Sequence, residues 1–105
     1  MAGHKNIDIT QLQSMMAQGD IRLVDVRTDA EFAQGIIAGA EKLPLHLLPV
    51  SMSKFDGKQP TVFYCRTGGR SAQAAAFMAA QGLDQPFNLQ GGINAWAQAG
   101  LPVSK

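Results

Sequence analysis

Thr61-Val62-Phe63-Tyr64-Cys65-Arg66-Thr67-Gly68-Gly69-Arg70-Ser71, followed by the alanine-rich segment from Ala72 to Gln81, is the stretch from which the rest of the chain can be read. Thr-Val-Phe-Tyr is a compact β-branched and aromatic run introduced by Pro60, the pattern of a buried strand. Ser71 to Gln81 has strong helix propensity, and Gly82 is placed to end the helix. Cys65, the only cysteine, therefore sits where a strand ends, with a short glycine-containing loop leading into a helix. The first turn of a helix offers N–H groups without internal partners and the positive end of the helix dipole. A thiolate is favoured there. The loop N–H groups, Arg66 and Arg70 are expected to hold the Cys65 pKa well below the usual value of about 8.5 and to receive an anionic substrate. Between Gln59 and Ser104 the charged residues are Arg66, Arg70 and Asp84, so two of the three lie beside the cysteine.

Composition sets the outer bounds. The 105 residues are read as one domain, 1–105, long enough to bury a core without disulfides or a structural metal. Hydrophobic residues at 46% and charged residues at 16% fit an ordinary globular protein, with no apolar run long enough to span a bilayer. A formal charge of +1 argues against nucleic acid or anionic lipid as partner. One cysteine forms no internal disulfide and no cysteine-rich zinc site. The opening Met-Ala-Gly-His-Lys-Asn shows no secretion signal, so a cytoplasmic location is expected.

Outward from the cysteine, short strands alternate with helices. Ile7-Asp8-Ile9 reads as a strand, Thr10 as the N-cap of a helix with Gln13 completing a capping box, and Leu12, Met15 and Met16 as that helix's core face. Ile21 to Val26 is a nearly continuous apolar strand of the kind covered on both faces, interrupted by Asp25. Thr28 and Glu31 repeat the capping box and open a short helix to Gly35. Asp25 and Glu31 are expected to serve as caps and ion-pair partners, because a carboxylate beside a thiolate would raise the thiol pKa. Arg27 is open between an ion pair and the ligand crevice. A short strand is expected near Ala40 to Leu43, a brief helix from Leu45 to Ser53 that Pro49 either starts or breaks, a last strand at Pro86 to Leu89, and a helix from Ile93 to Ala99. His4 and His46 have no carboxylate or cysteine at ligand spacing and are read as surface or packing residues. The alternation predicts an α/β fold with a parallel sheet and helices on both faces.

Asp25-Val26-Arg27, Glu31-Phe32, Gly35-x-Ile37-x-Gly39-Ala40, Leu43-Pro44, the Tyr64-to-Ser71 loop and Leu89-Gln90-Gly91-Gly92-Ile93-Asn94-Ala95-Trp96 together resemble a single-domain rhodanese, a sulfurtransferase. The resemblance spans residues 7 to 102. It implies a three-layer α/β/α fold on a five-stranded parallel sheet, with Cys65 carrying sulfur as a persulfide. Ile36 stands where many members have histidine, and Thr67 where thiosulfate-specialised two-domain members tend to have lysine.

The expected chemistry is double displacement. The Cys65 thiolate attacks the outer sulfur of thiosulfate or a low-molecular-weight persulfide, and cyanide, a small thiol or an acceptor protein then removes it. Arg66, Thr67, Gly68, Gly69, Arg70 and Ser71 are the expected substrate-binding residues: their N–H groups stabilise the anionic persulfide and the two arginines orient the donor. No metal or organic cofactor is required. A cysteine phosphatase would resemble Cys-x5-Arg, and Cys65 to Arg70 is one residue shorter. A silent binding module on the same fold and a protein-to-protein sulfur relay compete with the enzymatic reading; the intact cysteine and arginines count against the silent module.

Overall fold

The computed structural model describes residues 3–105; Met1 and Ala2, part of the opening read for a signal, lie outside the described residues. Five strands, β1 (Lys5–Ile7), β2 (Arg22–Asp25), β4 (Glu41–Lys42), β5 (Thr61–Tyr64) and β6 (Pro86–Leu89), form one sheet in the order β1-β6-β5-β2-β4, and every pairing in it is parallel. Two further strands, β3 (Ile36–Ile37) and β7 (Val103–Ser104), pair antiparallel as a separate ribbon. The α/β architecture with a parallel sheet is as the alternation of strands and helices predicts, and the count of five strands is as the resemblance implies.

Side-chain alternation along the strands divides the core in two. Ile7, Leu23, Val62, Tyr64 and Leu89 point to one face, where they meet Leu12 of α1 (Ile9–Gln18) and Ile93 and Trp96 of α4 (Gly92–Gln98). Val24, Val26, Phe63 and Cys65 point to the other. There they pack on Ala74, Ala75 and Met78 of α3 (Gly69–Ala80) and on Leu48 of a 3₁₀ segment, Leu45–Lys54. The small alanines of α3 let the helix lie close against the sheet, which is where its alanine-rich sequence is spent. Met15 and Met16 pack against the first cluster, as their spacing predicts.

Several boundaries differ from the sequence reading. The first strand is Lys5–Ile7, and the N-cap of α1 is Asp8, not Thr10. The Asp8 carboxylate accepts from the Gln11 N–H at 2.8 Å, and the Gln11 side chain accepts from the Asp8 N–H at 2.9 Å. Asp8/Gln11 and Thr10/Gln13 both have capping-box spacing; aspartate is the stronger cap, and pairing of β1 with β6 ends at Ile7. The Thr28/Glu31 box is present, although its helix α2 is only Asp29–Phe32. Pro49 lies inside the 3₁₀ segment without ending it. The strand expected near Ala40 to Leu43 is reduced to Glu41–Lys42. Helix α4 begins at Gly92, one residue before the expected Ile93.

Topology positions the functional end of the molecule. The connection leaving β2 runs to β4 on one side of the sheet, and the connection leaving β5 runs to β6 on the other. Between β2 and β5, the chain direction across the sheet reverses, which opens a crevice beyond the strand C-termini. Cys65 follows β5 and Arg27 follows β2 by two residues, so both stand at that point.

Candidate active site

Arg27 is buried, 4% exposed, beside the fully buried Asp25. Its Nε lies 3.0 Å from both Asp25 carboxylate oxygens, one terminal nitrogen donates to Asp25 Oδ2 at 2.8 Å, and the same nitrogen donates to the Gly35 carbonyl at 2.6 Å. These bonds give Arg27 the ion-pair role, its guanidinium tying β2 to the turn before β3. The same side chain also lines the crevice beside Arg66 and Arg70. Tyr64 completes this buried layer by accepting from the Ile37 N–H at 2.9 Å; burial, then the Asp25 charge, keeps its phenol from ionising.

Cys65 is 2% exposed and lies at the base of the loop. The Gly68 N–H donates to its Sγ at 3.1 Å, and the Ser71 hydroxyl stands 3.4 Å away. Gly68 adopts φ +125°, a conformation suited to glycine, and this turns its N–H inward. Helix α3 starts at Gly69, so Arg70 and Ser71 belong to its first turn rather than to the loop preceding it. That places the Ser71 hydroxyl beneath the sulfur. The hydroxyl also lies 2.6 Å from Asn88 Oδ1 on β6, and Asn88 in turn donates to Asn6 Oδ1 at 3.1 Å. One hydroxyl proton thus has two acceptors, and a charged sulfur draws it more strongly than an amide oxygen does.

The loop carbonyls point the opposite way. Those of Cys65, Arg66 and Thr67 accept from the N–H groups of Ile93, Asn94 and Gly91 at 3.0, 3.2 and 3.0 Å. The Gly91-Gly92 turn makes this approach possible: Gly92 has φ +54°, and a Cβ there would collide with the Cys65 and Arg66 carbonyl oxygens. With its acceptors committed to the start of α4, the loop presents donors to the sulfur.

The two loop arginines meet a carboxylate from another element. Arg70 makes a two-pronged pair with Glu31 of α2 at 2.7 and 2.8 Å, and Arg66 approaches the same carboxylate at 3.5 Å. Arg70 first, then hydrogen bonds from Thr28, hold the Glu31 carboxyl down at about 2 against the opposing effect of burial. Glu31 is therefore charged throughout the range in which a thiolate exists. The sequence predicts a cap and an ion pair for Glu31 but not that its partners are the loop arginines. Asn88 is not singled out by the sequence at all. Its only signal there is a polar residue in an otherwise apolar strand.

The net effect lowers the Cys65 pKa. Burial opposes ionisation, and the Ser71 hydroxyl, then the Ser71, Gly68 and Thr67 N–H groups, outweigh it. Hydroxyl and amide donors are the largest contributors to the shift; Arg70, although paired with Glu31, also interacts with the Cys65 sulfur and favours its charged form. Alkylation of Cys65 by iodoacetamide is accordingly expected to show a pH midpoint below that of an ordinary thiol, because lowering the pKa keeps the nucleophilic form populated as pH falls. Ser71→Ala should raise that midpoint more than Arg66→Ala does. The opposite ranking would return the shift to the arginines.

Among the described residues, no group of three or more His, Cys, Asp or Glu side chains is arranged to hold a metal ion. Among them also, no helix is long and apolar enough to cross a membrane. His46, on the 3₁₀ segment, is exposed, as expected of a surface residue, and lines a hollow of about 290 Å³ together with Arg27 and Arg70.

A thiol at the end of a central parallel strand, under an N–H-lined loop that opens a helix, defines a particular class of α/β proteins. The chain belongs to the rhodanese-like domain family, whose profile matches residues 8–99. It is 48% identical over 98 residues to a sulfurtransferase of Allochromatium vinosum, covering 92% of each chain. It is 32% identical over 99 residues to the thiosulfate sulfurtransferase GlpE of Shewanella oneidensis, covering 94% of this chain and 98% of that one. The crystal structure of a rhodanese-related protein from Thermoplasma volcanium superposes with a TM-score of 0.84 at 27% identity, over 95% of this chain and 97% of that chain. These relationships place the chain among the rhodanese-domain sulfurtransferases.

Proposed function

We propose that this protein transfers sulfane sulfur through a persulfide on Cys65, taking it from thiosulfate or a low-molecular-weight persulfide and delivering it to cyanide, a small thiol or an acceptor protein. The observation that carries the proposal is the donor arrangement around Sγ: the Gly68 N–H and Ser71 hydroxyl face the sulfur while the carbonyls of Cys65, Arg66 and Thr67 are tied to α4. Such an environment stabilises an anion on the attacking sulfur and, one bond further out, on the terminal sulfur of Cys-S-S⁻. In the first displacement the thiolate forms an S–S bond to the outer sulfur of the donor, and sulfite or a thiolate leaves with the bonding pair. In the second, the acceptor bonds to the terminal sulfur and the Cys65 thiolate leaves.

Intact mass after incubation with thiosulfate and, separately, with glutathione persulfide tests this directly. One added sulfur on Cys65, removed by cyanide or a thiol, is expected from at least one donor. No added sulfur from either, together with hydrolysis of an aryl phosphate, would overturn the reading in favour of a phosphatase.

The arginines have unequal roles. Arg70 is fixed by two short bonds to Glu31 and is 37% exposed, whereas Arg66 is held more loosely and is 54% exposed. A charge-assisted contact is worth about 1.5–3 kcal/mol, so Arg70→Ala is expected to reduce donor kcat/KM by roughly tenfold to a hundredfold. Arg66→Ala should cost less, since solvent replaces more of what it does. Steady-state kinetics in which Arg66→Ala is the more damaging variant would reverse the assignment.

A further inference from the structure

The charge at the mouth of the loop differs from what the loop alone suggests. Arg66 and Arg70 supply two positive charges, but one carboxylate, Glu31, faces both, at 3.5 Å and at 2.7 and 2.8 Å. Arg27 lines the crevice but is 4% exposed, and its charge is balanced by Asp25, so it adds no net charge to the rim. Glu31 is itself fixed: its Oε1 accepts from the Thr28 N–H and hydroxyl, each at 3.1 Å, so the carboxylate does not swing away when an anion arrives. An incoming donor therefore meets two arginines with a permanent negative charge between them.

We propose that Glu31 sets the charge preference of the sulfur donor, handicapping dianions such as thiosulfate relative to donors carrying a single charge. This inference rests on the sulfur-transfer reading of Cys65. Arg66 and Arg70 less Glu31 leave a rim of one net positive charge, and the attacking thiolate cancels it. A dianion entering this site feels twice the repulsion from Glu31 that a monoanion feels. The displacement balances with either donor: thiolate plus thiosulfate gives Cys-S-S⁻ and sulfite, and thiolate plus an aryl thiosulfonate gives Cys-S-S⁻ and an aryl sulfinate. Only the charge of the approaching and leaving groups changes.

Glu31→Gln isolates this charge. Glutamine is the other residue that completes a capping box, so the start of α2 is retained, and its amide oxygen still accepts from Arg70. The experiment compares kcat/KM for thiosulfate and for benzenethiosulfonate, a monoanion with the same sulfane sulfur, in wild type and Glu31→Gln at low salt. The thiosulfate-to-benzenethiosulfonate ratio is expected to rise about tenfold in the variant, the size of one unit charge a few ångströms away in a half-exposed site, and the gain should shrink as ionic strength rises. A merely structural Glu31 would lower both values in parallel, and an unchanged or falling ratio overturns the inference while leaving sulfur transfer intact. If wild type loads sulfur from no donor, it is the sulfur-transfer reading that fails. The charge preference is then read by calorimetric binding of thiosulfate and benzenethiosulfonate to Cys65→Ser with and without Glu31→Gln. The same tenfold gain for the dianion supports the inference there, and equal affinities reject it.

Discussion

Cys65→Ser is expected to lose persulfide formation and sulfur transfer entirely while keeping the fold. Sγ is the single thiol sulfur in the chain, so no second group can accept sulfane sulfur and hand it on. The replacement changes one atom at a site where a hydroxyl finds donors already in place, the Gly68 N–H among them, and it leaves the packing of Val26, Phe63 and Ala74 around it undisturbed. A stability change of about 1 kcal/mol or less follows, in keeping with a buried hydroxyl that retains its hydrogen bonds. Intact mass after incubation with a donor, beside a thermal melt of the same sample, checks both halves. Residual double-displacement turnover in a folded Cys65→Ser protein would require a different sulfur carrier and would sink the mechanism.

The second large effect is on stability and concerns the pair beneath the site. Arg27→Ala leaves the Asp25 carboxylate, which has no solvent exposure, without the guanidinium that holds both of its oxygens. It also removes a donor from the Gly35 carbonyl. Breaking a buried pair by deleting one partner typically costs about 3–5 kcal/mol, whereas replacing both partners with apolar groups of similar size is much less harmful. Urea unfolding is therefore expected to show a loss of that size for Arg27→Ala and recovery of much of it in Asp25→Leu/Arg27→Met. A loss below about 1 kcal/mol for the single variant would mean that water reaches Asp25 and that the pair is not a buried one.

Where the sequence is legible and where it is not follows from the range of the interactions. The strand Thr61–Tyr64 and the helix after it are encoded by neighbouring residues, and so is the Thr28/Glu31 cap; each is visible in a window of a few positions. The start of α1 is ambiguous because two overlapping capping boxes satisfy the same spacing, and only the register of β1 against β6 decides between them. The ribbon of Ile36–Ile37 with Val103–Ser104 has no local signature, because two-residue strands exist only through their pairing. At the site, Cys65 and its helix are legible for the same local reason. The partner of Arg70 is not: Glu31 lies 39 residues away, and the absence of a carboxylate from the loop sequence says nothing about one delivered by α2. Asn88 is hidden in the same way, reaching Ser71 across 17 residues of chain.

The anchoring of the loop carbonyls by α4 separates where the anion is held from where its hold is encoded. A backbone N–H is present whatever side chain the residue bears, so substitutions at Thr67 can leave the donors facing the sulfur chemically intact. Direction is the vulnerable property, and it is written at Gly91 and Gly92, beyond β6, where the turn permits α4 to grip three carbonyls at once. Random mutagenesis of this chain should thus find the loop more tolerant at some of its own positions than at a glycine that never touches the substrate. A search for inactivating changes confined to the neighbourhood of the cysteine would overlook one of the main determinants of its chemistry.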